Sequence, residues 1–198
     1  MKQTVFYFFF ASLFLFTSCD DDDVCVIDET LTVETSSVSE LSADNWGTYT
    51  DIVINASADE VWGVLTDFDN MPNWSSLLQG MVGDISNGGL VTVTVLFADQ
   101  ATGEVGSSDF TRTLIYEEGV LFGWSEPFEL AAGTGIFVTD NHQFKVEAIS
   151  ECQARFIQTD DFTGIIPAAA GVTLEQVAGI IETSYKQFNQ ELKAEVEQ

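Results

Sequence analysis

Near the C-terminus, Leu174, Val177, Ile181, Tyr185, Phe188 and Leu192 recur at steps of three and four residues. At 3.6 residues per turn they form one apolar stripe, and Gln, Glu and Lys fill much of the remaining surface. Thr173 and Gln176 make a capping-box pattern at the start, and the predicted helix runs to about Glu195. A helix this long with a single apolar face must bury that face on another layer.

The preceding chain offers a sheet as that layer. Tyr49 to Ile54 reads as a first strand. Ser57-Ala58-Asp59-Glu60 then fits a second capping box, and Val61, Val64, Leu65 and Phe68 give the short helix that follows one apolar face. Pro72 ends it, because proline disfavours helical geometry at Met71. Strand patterns occupy Val82 to Ile85, Val91 to Ala98, Asp109 to Glu117, Val120 to Ser125, His142 to Ile149 and Cys152 to Phe162. Asn87-Gly88-Gly89, Glu118-Gly119 and Ser150-Glu151 read as turns, and Pro127 to Asp140 as irregular. Short links between neighbouring strands predict an antiparallel sheet.

The order of strand, short helix, Pro-Trp loop, antiparallel strands and long final helix resembles the START-like helix-grip superfamily, SRPBCC, with its polyketide cyclase/dehydrase-like members. The residues carrying the likeness are Ala58 to Trp62, Leu65 to Phe68, Met71-Pro72-Asn73-Trp74, Asn141 to Phe144, Asp160 to Gly164 and Tyr185 to Asn189. The resemblance implies an α+β fold in which a curved antiparallel sheet of about six or seven strands wraps the long C-terminal helix. It also implies a cavity between sheet and helix that grips a small hydrophobic or lipid-like ligand. A minority of such proteins are enzymes, so the likeness supports the fold better than any one activity.

Strand parity nominates the residues that face inward. Phe110, Arg112, Leu114 and Tyr116 share one face of a regular strand, as do His142, Phe144, Val146 and Ala148. Arg112 then needs an acid, supplied either by a ligand carboxylate or by the protein's own carboxylates. His142 is the only histidine. Paired with Asp160 or Asp161 it could act as a general base in a cyclase- or dehydratase-type enzyme; a lone histidine on an apolar strand face is more often a satisfied core or rim residue. Trp74, Tyr116, Trp124 and Phe144, with Phe97 and Phe188, are candidate walls of a cavity or fillers of a closed core. With Arg112 and His142 these make up the candidate ligand-binding set. A module without a cavity, binding only another protein, is a third possibility.

The N-terminus points to export. Lys2 precedes an apolar run from Val5 to Phe16, shorter than the roughly 20 residues of a spanning helix. Phe16-Thr17-Ser18-Cys19 resembles a bacterial lipobox, which implies a signal peptide over residues 1–18 and a lipid on Cys19. Residues 19–48 then read as a flexible acidic tether, with a short strand at Val24 to Val33, and residues 49–198 as the domain. Asp20 to Asp23 fits either an export tag or a solvated spacer.

Six Lys and Arg stand against 32 Asp and Glu, for a net charge of −26. Such a surface repels phosphate backbones and anionic headgroups, so the expected partners are a small apolar molecule and a membrane reached only through the lipid. A hydrophobic content of 45% still allows a packed core. An exported location would permit a Cys25–Cys152 bond, although the spacing does not demand one. No metal-ligand spacing, phosphate loop or Ser-His-Asp pattern occurs, and the reading invokes neither metal nor cofactor. Nothing in the sequence fixes an oligomeric state.

Overall fold

The computed structural model describes residues 25–98, 105–130 and 133–198. The expected signal peptide, the lipobox-like run and Asp20 to Asp23 lie outside them, as does the side chain of Phe97. The chain opens with strands β1 (Glu34–Ser42) and β2 (Asn45–Ile54), followed by helix α1 (Ala58–Thr66) and a 3₁₀ turn at Met71–Asn73. Strands β3 (Leu78–Gly83), β4 (Leu90–Ala98), β5 (Val105–Thr113), β6 (Ile115–Glu117), β7 (Leu121–Glu129), β8 (Phe137–Ser150) and β9 (Gln153–Thr163) come next, and helix α2 (Leu174–Val196) ends the fold. All strand pairings are antiparallel.

Both helices begin where the sequence predicts. The Ser57 hydroxyl accepts from the Glu60 amide at 3.2 Å, and the Glu60 carboxylate accepts from the Ser57 amide at 2.8 Å. Thr173 and Gln176 repeat the exchange at 3.2 and 2.9 Å. Each box satisfies two backbone donors that a helix start otherwise leaves open.

Four expectations need correction. The strands form two sheets, a six-stranded one in the order β1-β2-β9-β8-β7-β6 and a three-stranded one in the order β3-β4-β5. The predicted strand Asp109 to Glu117 is divided between them, because the chain changes sheet at Leu114. The flexible tether expected over residues 19–48 is ordered strand from Glu34 onward, and the extra strand lies at Glu34–Ser42 instead of Val24 to Val33. Pro127 to Asp140 is strand at both ends, in β7 to Glu129 and in β8 from Phe137, with Pro127 opposite Thr139, and irregular at Leu130 and 133–136 between them. Pro127 is tolerated because the β6 ladder ends at Gly123, which leaves that side of β7 without a partner needing its N–H. Cys25 and Cys152, left open by the sequence, are joined by a disulfide.

The apolar stripe of α2 is buried as expected, with Phe188 and Leu192 wholly enclosed and Ile181 partly so. The C-terminal end of α2 is also tied by polar contacts. Lys193 Nζ donates to the Val53 carbonyl at 2.9 Å, and the Glu197 carboxylate accepts from the Asn55 amide at 2.6 Å. Asn55 Oδ1 accepts from Gln153 at 3.0 Å, and Gln153 Oε1 accepts from the Asp28 amide at 2.8 Å. The disulfide closes this chain of contacts beside the β8–β9 turn.

Candidate functional site

Between the sheets and the middle of α2, from Ile180 to Phe188, lies a cavity of about 650 Å³. Its apolar wall includes Val93, Phe110, Trp124, Phe144, Ile181 and Phe188. Parity explains the wall: alternate side chains on β5, β7 and β8 point to one face, and that face meets α2. Gly123 lets β7 close on β8, since a Cβ there would stand 2.2 Å from the His142 carbonyl oxygen.

The polar side chains of the cavity are few and specifically held. His142 is buried, stacked on Tyr185 at 4.3 Å and tilted against Phe144 at 4.1 Å. Its Nε2 lies 3.1 Å from Gln158 Oε1. Gln158 donates through Nε2 to Asn189 Oδ1 at 2.6 Å and to the Tyr185 carbonyl at 3.2 Å, and Asn189 donates to Thr50 Oγ1 at 3.2 Å. Because Gln158 presents its acceptor, Nε2 is the protonated nitrogen of a neutral ring. Burial pulls the His142 pKa down to about 3.

Asp160 sits on the same wall. Its Oδ2 accepts from the Tyr185 hydroxyl at 2.6 Å and its Oδ1 from the Asn141 amide at 2.9 Å. Burial pushes its pKa up to about 8, against the pull of those two hydrogen bonds, so the carboxyl is largely protonated at neutral pH. Burial and Asp160 together push the Tyr185 phenol well above its ordinary value. Trp124 Nε1 donates to Asp140 Oδ2 at 3.0 Å. Burial raises Asp140 as well, while Trp124 and Arg112 draw it back. Arg112 is buried with its guanidinium carbon 5.0 Å from the Phe110 ring centre, and its Nη1 is 4.0 Å from Glu126 Oε2.

Of the predicted wall residues, Arg112, Trp124, His142, Phe144 and Phe188 line the cavity. Trp74 and Tyr116 do not. Trp74 packs on Phe188 at 5.2 Å, and Tyr116 packs on Trp62 at 5.9 Å with its hydroxyl bonded to Glu118 at 2.6 Å. Tyr116 keeps the parity of Phe110 and Arg112, but it lies beyond the change of sheet at Leu114, which carries it away from them. Asp160 lines the cavity, and Asp161 falls on the opposite face of β9 by alternation. The proposed His142–carboxylate pair is not assembled as a direct bond, since His142 faces Gln158 and Asp160 is held by Tyr185 and Asn141. The cavity also overturns the possibility of a module without one.

Asp140, Gln158 and Asn189 were not among the sequence candidates. Parity alone could have nominated Asp140 and Gln158, which share faces with His142 and Asp160, had Asp140 been read as strand. Among the described residues, no group of three His, Cys, Asp or Glu is placed to hold a metal ion. No described helix is long and apolar enough to cross a membrane.

Known proteins place this architecture. The family model described as polyketide cyclase/dehydrase and lipid transport matches residues 46–197. Among solved structures, the Zhui aromatase/cyclase from Streptomyces sp. R1128 is similar at 15% identity and a TM-score of 0.56, over 77% of this chain and 94% of that one. A START superfamily protein from Mycobacterium smegmatis is similar at 16% identity and 0.55, over 76% and 97%. At such identities the likeness speaks for the fold alone. No curated protein sequence matches the chain.

Proposed function

The chain belongs to the polyketide cyclase/dehydrase and lipid transport family, and we propose that it is an exported, lipid-anchored member that binds a small apolar molecule between its sheets and its last helix. The cavity carries this reading. Its volume of about 650 Å³ falls in the range of small-molecule sites, and its lining combines an aromatic and aliphatic wall with a few fixed polar groups. Export is supported by the Cys25–Cys152 disulfide, a bond that oxidising compartments favour and the cytosol does not.

A neutral environment-sensitive dye or a fatty alcohol should bind at one site and shift tryptophan emission through Trp124. A ligand of about 20 heavy atoms gains about 6 kcal/mol at 0.3 kcal/mol per atom, or a Kd on the order of tens of micromolar. Failure of every member of a broad apolar panel overturns the binding reading. For the anchor, mass spectrometry of the N-terminal peptide should find acyl chains on Cys19, and an unmodified Cys19 in the mature protein overturns it.

One observation favours a rival reading as a cyclase- or dehydratase-type enzyme: Asp160 and His142 line the same cavity, and burial pushes the Asp160 pKa up to about 8. A ring whose pKa is drawn down to about 3 is a poor base near neutrality. Turnover of a polyketide-like substrate that is lost in both His142→Gln and Asp160→Asn, with binding retained, would move the enzyme reading ahead.

A further inference from the structure

The cavity is enclosed unevenly. Of its lining residues Ser76, Val105, Ile180 and Gln187 are exposed, and they mark where it meets solvent. Ile180 and Gln187 stand on α2, Val105 begins β5, and Ser76 precedes β3. The opening is therefore a slot between α2 and the small sheet. Hydrogen bonding repeats the asymmetry. Among the described residues, α2 bonds to β1, β2 and β9, as in the pairs Gln190–Glu34, Ala178–Thr48 and Asn189–Gln158, and to no residue of β3, β4 or β5.

A polar clasp spans the slot. The Glu191 carboxylate accepts from the Ser76 amide at 2.8 Å and from the Ser76 hydroxyl at 2.6 Å. Gln187 Nε2 donates to the same hydroxyl at 2.8 Å and to Glu191 Oε1 at 3.0 Å. Ile180, Ser184, Gln187 and Glu191 follow at steps of four, three and four, so they make one stripe along α2. The stripe starts beside an apolar groove of about 390 Å³, lined with Phe128, Ile136, Val172 and Val177, and ends at the clasp. On the other side of the slot, Ser75 Oγ accepts from the Leu77 and Leu78 amides at 3.2 and 3.0 Å, and Gln79 Nε2 donates to the Ser75 carbonyl at 2.7 Å. Those local bonds hold the turn in shape without help from α2. The clasp bonds are exposed, so water can replace each of them at little net cost.

We propose that this slot is the portal of the cavity and that Glu191, with Gln187, is its latch: the ligand enters and leaves when Ser76 parts from α2. This rests on the apolar-ligand reading above and assigns the route to that site. Glu191 is not part of the cavity lining, so it acts on passage and not on the bound ligand. A latch that must open for both entry and exit scales the two rates together and leaves their ratio, the affinity, unchanged.

The test uses the full chain carrying Cys19→Ser, so that no detergent competes for the cavity and the remaining cysteines are paired. Stopped-flow fluorescence of a neutral dye, N-phenyl-1-naphthylamine, measures association and dissociation. Glu191→Ala should raise both rates about tenfold and change the Kd less than about twofold, because the charge-assisted bonds to Ser76 are lost. A general loosening of the cavity raises dissociation alone and weakens binding, and that outcome overturns the latch. A second variant holds the slot shut: Ser76→Cys with Gln187→Cys, bridged by bismaleimidoethane, should slow both rates about tenfold relative to the unbridged protein. Should Glu191→Ala fail to fold, the bridged variant alone decides. A dye that binds at rates unmoved by either change overturns the portal and leaves the apolar-ligand reading standing. A dye that never binds overturns that reading, and the portal with it.

Discussion

The C-terminal end of α2 buries Asn189 and Leu192 completely, whereas the N-terminal half leaves Ile180 50% exposed above the groove. Around the first gather the Lys193 and Glu197 contacts, the Asn55–Gln153–Asp28 chain and the disulfide. Along the second, and reaching Phe188, lie the cavity, the groove and the buried Asp140 and Asp160 carboxyls. One helix thus has a fastened end and a roofing end. The contrast teaches that local stability and ligand access are assigned to different ends of the same element, as expected where a binding site must open without unfolding the domain.

The largest expected effect comes from releasing the fastened end. Replacing both Cys25 and Cys152 by Ala should cost about 4 kcal/mol, because the bridge closes a long loop. Urea unfolding measures this, and dye affinity at the other end should change less than twofold. Equal losses of stability and affinity would break the contrast. Leu192→Ala removes a wholly buried side chain from the same end and should cost about 3 kcal/mol. A loss under about 1 kcal/mol would show that this end is not closely packed.

The pH dependence of stability reports on the roofing end. Asp160, at about 8 when folded, keeps a proton that the unfolded chain releases near 3.8, so its contribution falls as pH rises from about 4 to 8. His142, at about 3 when folded, contributes in the opposite sense: stability falls as pH drops below its ordinary 6.5. The two oppose each other up to pH 6.5, and of the pair only Asp160 titrates above it. Stability should decline by up to about 2 kcal/mol between pH 6.5 and 8, and Asp160→Asn should flatten that slope. A slope unchanged in the variant would place the titration elsewhere. The smallest effect belongs to Ile181→Ala. It should cost under about 1 kcal/mol of stability, since the side chain borders open space, yet weaken decanol binding severalfold. A larger stability cost, with binding intact, would make Ile181 a core residue like Leu192.

Much of this arrangement is legible wherever a local rule decides. Capping boxes at Ser57 and Thr173 fix helix starts through contacts three residues apart, and parity puts Arg112, His142 and Phe144 inward without knowledge of the neighbours. What escapes depends on distant partners. Strand β1 pairs only with β2, and its run of Glu, Thr and Ser lacks the apolar alternation that marks a half-buried strand. Pro127 argues against strand until the end of the β6 ladder is known. Tyr116 and Phe110 look equivalent by parity, and only the change of sheet at Leu114 separates them. Gln158 and Asn189 meet His142 across three elements, and no spacing within one segment reveals that.

On the proposed lipid at Cys19, the disulfide would also set the length of a leash. With Cys25 pinned beside the β8–β9 turn, the chain from a lipid on Cys19 to the folded body could extend only about 20 Å. Were the body first held at Glu34, the same chain could reach about 50 Å. A bilayer would therefore lie close beneath the fastened end. The Ile180 groove sits about 20 Å further along α2 from Lys193, away from the fastened end. A copy tethered in this way would load and unload its ligand from the surrounding medium or from a partner met there, and the leaflet that holds it would supply only its address.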